Sequence, residues 1–385
     1  MFHIKTLNSI SPVYADILKD TEYNISADIE NPDAIIVRST DMKAMPVPEN
    51  LKCVARAGAG TNNIPSEEYA KKGIVVFNTP GANANAVREL TITALLIASR
   101  DVLGGIRWAC SLTGDDVPKQ VEKGKGAFTG PEIKGKTLGV IGLGAVGVLV
   151  ANAAEALGMH VLGYDPYISI DHAWALSRRI EHVTTQDELI ARSDYITIHI
   201  PLMDSTAGFV NKDFLAKMKK GATLLNLSRG ELVVDDDVLD ALENGNLRLY
   251  VTDFPNAKLI NKPHVIAIPH LGASTPESED NCVMMASQQI DLYLKTGAIR
   301  NSVNYPNCEL DAPRGNRIAV LHANVPNVVG AIAKIIGETG INIGSMVNRS
   351  RGQFAYTVLD LDEEPTEEQV ARLRASDTVY GVRCF

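Results

Sequence analysis

The chain has 385 residues, 45% apolar and 22% charged, with a formal charge of −9. That length allows about two to three domains with real cores, and an acidic balance without a basic block argues against a nucleic-acid partner. The five cysteines (Cys53, Cys110, Cys282, Cys308, Cys384) are scattered with no C-x-x-C, so no zinc or disulfide framework is implied and a reducing compartment fits. The start carries no signal-peptide pattern, and no apolar run approaches a membrane span. The expectation is a cytoplasmic protein with no membrane partner and no metal.

Residues 1–84 alternate strand-like runs (3–7, 34–38, 52–56, 73–78) with helical stretches, which predicts a parallel sheet. Polar and glycine residues gather where these strands end: Arg38-Ser39-Thr40, the run from Arg56 through Gly58, Ala59 and Gly60, and Asn78-Thr79-Pro80. Ligands bind at such carboxyl ends in open α/β sheets. A long helical run over 86–110 leads onward, and 113–135 is polar, hence surface.

Residues 136–165 organise the rest. A β-branched run at 136–141 is followed by Gly142, Gly144 and Gly147 in G-x-G-x-x-G spacing, then a helical run to about 157. A second strand at 160–164 ends on Asp165. The glycines serve the tight turn, close approach to a pyrophosphate, and helix–strand packing. The helix start aims unpaired N–H groups at phosphate. An acid about 20 residues on binds the ribose hydroxyls, and Asp165 holds that place. A carboxylate there repels the 2′-phosphate of NADP, so NAD is the expected cofactor.

The strand–helix rhythm continues through 180–183, 194–200, 222–227, 249–253 and 264–268, enough for a complete doubly wound sheet of about seven strands. A helix over 276–295 is expected to return to the first domain. Residues 300–316, polar with two prolines, read as a linker. Residues 317–385 run strand, helix, strand, strand, helix, strand, which is ferredoxin-like, with a capping box at Thr366–Gln369. The fold class is therefore α/β: two doubly wound parallel-sheet (Rossmann/flavodoxin-like) domains plus a small βαββαβ domain. The expected division is 1–85 with 275–299, 86–274 for the dinucleotide, a linker at 300–316, and 317–385.

Exchanging hydride at a 2-hydroxy acid needs a cation for the carboxylate and a group to move the hydroxyl proton. Arg229, just past the strand at 222–227, has the planar fork that suits a carboxylate. His270 ends the run HVIAIPH, and the imidazole is the side chain whose unperturbed pKa suits proton exchange near neutral pH. Arg38 and Arg56 together suit a phosphate, the loop at Ala59 offers backbone N–H groups to an anion, and Asn83 lies near the domain junction.

These residues resemble the D-isomer-specific 2-hydroxyacid dehydrogenases. The anchors are VRST at 37–40, RAGAGTNNI at 56–64, GIVVFNTPG at 73–81, GLGAVG at 142–147, MKKGATLLNLSRGELV at 218–233 and PHLGAST at 269–275. The resemblance implies that Arg229 binds the substrate carboxyl and His270 exchanges the proton. It also implies that Arg38, Arg56, Ala59 and Asn83 contact substrate. Gly142, Gly144, Ala145, Val146, Gly147, Asp165, Thr206, Leu227, Ser228 and Asp253 would approach NAD.

The implied reaction is oxidation of D-3-phosphoglycerate to 3-phosphohydroxypyruvate, the first step of serine synthesis. The alternatives are another small 2-hydroxy acid (glyoxylate or hydroxypyruvate), or an NAD-sensing corepressor-like protein without turnover. The family's glutamate partner for the histidine has no counterpart in VTDFPNAKLINKPH; Lys258 and Lys262 stand nearby as replacements. Residues 317–385 resemble an ACT domain. That implies a homo-oligomer and an L-serine effector at His322, Asn324 and Asn342, the alternative being that these three side chains cap loops.

Overall fold

The computed structural model describes residues 1–313 and 315–385. Arg314, inside the stretch read as a linker, lies outside the described residues. By contact density the chain forms two compact units, Met1–Ala82 with Pro276–Phe385, and Asn83–Thr275.

The first unit begins with a parallel five-stranded sheet: β1 (Phe2–Leu7), β2 (Tyr23–Ser26), β3 (Ala34–Val37), β4 (Cys53–Arg56) and β5 (Val75–Phe77), in the order β2-β1-β3-β4-β5. That order places a switch point between β1 and β3. The edge strand β2 is absent from the sequence reading. It is four residues long with only Tyr23 buried, so it offers no apolar periodicity.

The second unit holds the dinucleotide-type sheet. Its strands are β6 (Thr137–Ile141), β7 (His160–Tyr164), β8 (Glu181–His182), β9 (Tyr195–Ile198), β10 (Ala222–Asn226), β11 (Leu247–Thr252) and β12 (Val265–Ala267). They run in the order β12-β11-β10-β9-β6-β7-β8, all parallel, with the switch point between β6 and β9. The helical run expected over 86–110 is two helices, Ala84–Ser99 and Val102–Ser111. Asp101 makes the break, because its carboxylate accepts the Gly104 N–H at 2.9 Å and so caps a new helix. The surface stretch after it contains a further short helix, Val117–Gly124.

The C-terminal strands β13 (Asn316–Ala323), β14 (Ile343–Arg351), β15 (Phe354–Leu361) and β16 (Val379–Cys384) form an antiparallel sheet in the order β14-β15-β13-β16. The capping box is present at Thr366 and Gln369. Alternate residues of β13 serve two cores. Ile318 and Val320 pack under the module's own helices. Ala319 and Leu321 join a core with Tyr356, Tyr305 and Tyr293, continuous with Ile4, Ile36 and Cys53 of the first sheet.

The stretch read as a linker is part of that packing. Tyr305 and Cys308 are buried, and the Tyr305 hydroxyl donates to the Ala70 carbonyl at 2.7 Å. Asn304 accepts the Val76 N–H at 2.9 Å and donates to the Ser66 and Ile74 carbonyls at 3.0 Å each. Its polarity marks buried backbone groups being satisfied at the edge strand β5 and the segment before it, not a solvated tether. Arg317 is 2% exposed and forks onto Asp360, with Nε–Oδ1 at 2.5 Å and Nη2–Oδ2 at 2.9 Å.

Backbone meets backbone where β16 crosses Gly73. This glycine has φ +67°, and a Cβ there would run into the Tyr380 carbonyl. Gly73→Ala is expected to cost roughly 2–4 kcal/mol of unfolding free energy in urea. Gly330→Ala, in an open helical position, is expected to add about 0.5–1 kcal/mol. Equal effects of the two would contradict this packing.

Candidate functional site

In the second unit the site residues gather because parallel strands end on one side. Gly142–Gly147 follow β6, Asp165 follows β7, Thr206 comes after β9, Leu227–Arg229 follow β10, Asp253 follows β11 and His270 comes after β12. The three glycines do different work. Gly142 sits at φ +90°, where a Cβ would come within 2.6 Å of the His199 carbonyl oxygen. At Gly147 a Cβ would collide with the Gly142 carbonyl, so this position sets how closely the helix Ala145–Ala156 approaches β6. At Gly144 a Cβ would meet nothing within 4 Å among the described residues. Its bare side faces a cradle at the helix start, where no side chain caps the first N–H groups. Ala145 and Val146 begin that helix.

Asp165 ties turn to strand. One carboxylate oxygen accepts the Leu143 N–H and the other the Tyr167 N–H, both at 2.8 Å. Each oxygen keeps a lone pair for a hydroxyl. The Thr206 hydroxyl closes its own turn, donating to the Pro201 carbonyl at 2.7 Å and accepting from the Met203 N–H at 2.8 Å. Ser228 anchors the loop after β10 by donating to the Ile198 carbonyl at 2.6 Å. Leu227 is buried beneath it.

Arg229 and His270 are exposed, while Asp253 is 1% exposed with one carboxylate oxygen unpartnered. Burial raises the Asp253 pKa, opposed by the nearby charges of His270 and Arg229 and by a backbone hydrogen bond. An imidazole, a guanidinium and a buried carboxylate therefore share one electrostatic neighbourhood. Phe254, which the sequence reading passed over, packs against His270 with ring centroids 4.6 Å apart and the ring planes tilted by 49°. On its other side it lies so near Gly230 that a Cβ there would come within 3.2 Å. Its only sequence signal was its place after the Asp at the end of β11. Lys258 is engaged by Asp236 at 2.7 Å on the surface, and Lys262 is exposed. Asn83 precedes the helix Ala84–Ser99 without capping it.

In the first unit Arg38 follows β3, Arg56 ends β4, and Ala59 lies in the next loop, its carbonyl accepting the Asn78 amide at 2.6 Å. The three residues expected to bind an effector are not gathered within one chain. His322 and Asn324 lie at the end of β13 that faces Phe354, whereas Asn342 precedes β14 at the end that faces Leu361. Each has an internal partner. His322, 2% exposed, bonds the Thr357 hydroxyl and the Ala323 carbonyl, both at 2.8 Å. Asn324 donates to the Gly352 carbonyl at 3.0 Å and Asn342 to Asp362 at 2.8 Å.

A model of the D-isomer specific 2-hydroxyacid dehydrogenase NAD binding domain matches residues 108–272. The D-3-phosphoglycerate dehydrogenase of Escherichia coli strain K12 is 31% identical over 342 residues, covering 85% of this chain and 80% of that protein. The enzyme of the same name from Methanocaldococcus jannaschii is 36% identical over 296 residues, 74% of this chain and 54% of that protein. The chain spans about half the length of the first curated relatives that it matches. Among solved structures, NAD+-bound 3-phosphoglycerate dehydrogenase of Entamoeba histolytica is 27% identical with a TM-score of 0.60, covering 79% of this chain and 98% of that one. D-Mandelate dehydrogenase of Rhodotorula graminis, 22% identical with a TM-score of 0.67, covers 81% of this chain and 99% of its own and shares the fold. The chain belongs to the D-isomer specific 2-hydroxyacid dehydrogenase family.

Burial lowers the His322 pKa against the pull of its bond to the Ala323 carbonyl. The unfolded chain then takes up a proton that the folded chain resists, so stability falls as pH drops below about 6.5, by at most about 1.4 kcal/mol per pH unit for this one group. Burial also pushes His199 down, to about 4, which acts in the same direction. Urea unfolding of the native chain between pH 7.5 and 5.5 is expected to show that slope, and His322→Gln to reduce it. An unchanged slope in the variant would contradict a buried neutral imidazole.

Proposed function

We propose that the chain is an NAD-dependent dehydrogenase that oxidises D-3-phosphoglycerate to 3-phosphohydroxypyruvate. The observation that carries the reading is the convergence of His270, Arg229 and Asp253 on the sheet edge that also holds the glycine turn. The open face of Gly144, the uncapped helix start and the spare lone pairs of Asp165 fit a dinucleotide: helix N–H groups for its pyrophosphate, Asp165 for its ribose. The Asp165 carboxylate disfavours a 2′-phosphate, which supports NAD over NADP.

Bound nicotinamide supplies the hydride acceptor for C2. Arg229 holds the substrate carboxyl with a planar pair of donors and stabilises negative charge gathering on the C2 oxygen. Neutral His270 takes the hydroxyl proton. Phe254, whose ring packs against the imidazole, holds His270 in orientation. Arg38 and Arg56 take the phosphate, which supports a phosphorylated substrate over glyoxylate or hydroxypyruvate.

Following NADH absorbance with D-3-phosphoglycerate, His270→Ala is expected to lower kcat by roughly 10²–10⁴-fold. Arg229→Lys is expected to lower kcat/KM by about 10–100-fold, since an ammonium cannot fork onto a carboxylate. Gly144→Ala is expected to keep the fold and weaken NADH binding about tenfold by filling the cradle. Full turnover in His270→Ala, or undiminished NADH affinity in Gly144→Ala, would contradict the reading.

A further inference from the structure

This inference rests on the reading that Arg38 receives the substrate's phosphate. Val37 stands opposite Arg56 in the register of β3 and β4, so two guanidinium groups leave neighbouring strands at nearly one level. Arg56 Nε donates to the Arg38 carbonyl at 3.1 Å. Asn8, at φ +75°, sets its side-chain oxygen against the N–H groups of Arg38, Ser39 and Thr40 at 3.3, 2.9 and 3.0 Å. That clamp fixes the turn from which the Arg38 side chain departs.

A third charge arrives from far along the chain. Glu279, in the first turn of the helix Pro276–Thr296, places Oε1 2.5 Å from Arg38 Nη1. The adjacent Asp280 is taken by the Ser11 hydroxyl at 2.5 Å, so it does not compete for the arginine. The Arg38 and Glu279 side chains are 38% and 40% exposed. An ion pair so open to water is weak and exchangeable. The helix start favours a negative charge where Glu279 stands, so the carboxylate keeps a favourable place when Arg38 turns to a ligand.

We propose that Glu279 is an internal counter-ion for Arg38: it occupies the guanidinium in the free protein, yields it to the substrate's phosphate, and weakens the hold of this site on small free anions. A phosphate brings about −1.5 to −2 charge and three acceptor oxygens, more than one carboxylate offers, so it displaces Glu279. A free anion has only this corner to hold it. The substrate also carries a carboxyl for Arg229, so the same competition costs it a smaller share of its total binding.

The test uses the full chain and measures KM for D-3-phosphoglycerate and Ki for inorganic phosphate in three forms: native, Glu279→Gln and Arg38→Gln. Glu279→Gln should lower both constants about three- to fivefold, the range open to an exposed pair, with the effect falling on KM rather than kcat. Arg38→Gln should raise both by tenfold or more. If Arg38→Gln raises KM while Glu279→Gln leaves both constants unchanged or higher, the counter-ion role is overturned and the phosphate reading stands. If Arg38→Gln leaves KM unchanged, the phosphate reading itself fails, and this inference with it.

Discussion

The second unit depends on how closely one helix starts against one strand. No side chain fits at Gly147, because the Gly142 carbonyl occupies the space a Cβ would need. That contact seats the first turn of the helix Ala145–Ala156 at the end of β6 and leaves its N–H groups without a side-chain cap. The bond from Leu143 to Asp165 then fixes the acid at the end of β7 relative to the turn. The loops after β9 through β12 meet the same sheet edge because every strand pair in the sheet is parallel. The placement of His270, Arg229 and Asp253 follows from that geometry.

Most of this was legible in the sequence because backbone constraints leave marks in residue type. Glycines at fixed spacing, an acid at the end of the next strand and a capping box each report a local requirement of the chain. Six of the seven strands of the larger sheet were marked by short apolar runs, and the short edge strand β8, Glu181–His182, by the flanking Ile180 and Val183. The edge strand β2 left no such mark, since a strand paired on one side with one buried residue has no pattern to show. The break at Asp101 was also hidden, since a cap inside a helical run looks like one more polar residue.

Residues 300–316 mislead for a different reason. Composition treats polarity as exposure, yet Asn304 and Tyr305 are polar because they satisfy carbonyl and N–H groups of β5, of Ile74 before it and of the helix Ser66–Ala70. A buried hydrogen-bonding segment and a solvated tether have the same composition, and only the position of the partners separates them. The site shows the same limit. His270 and Arg229 stood out by type and position, whereas the Phe254 ring contact with His270 and the Glu279 pair with Arg38 are contacts that no spacing reveals. The stretch VTDFPNAKLINKPH shows no glutamate, and no spacing reveals that Asp253, buried and with an unpartnered oxygen, feels the charge of His270.

The central claim is that two electrons leave C2 of the substrate as hydride at the edge where the glycine turn and His270 meet. Its most direct test is turnover of D-3-phosphoglycerate deuterated at C2, with mass analysis of the nucleotide. The account predicts one deuterium on the reduced nicotinamide ring for each 3-phosphohydroxypyruvate formed. Product without labelled nucleotide, or no reduced nucleotide at all, would contradict it.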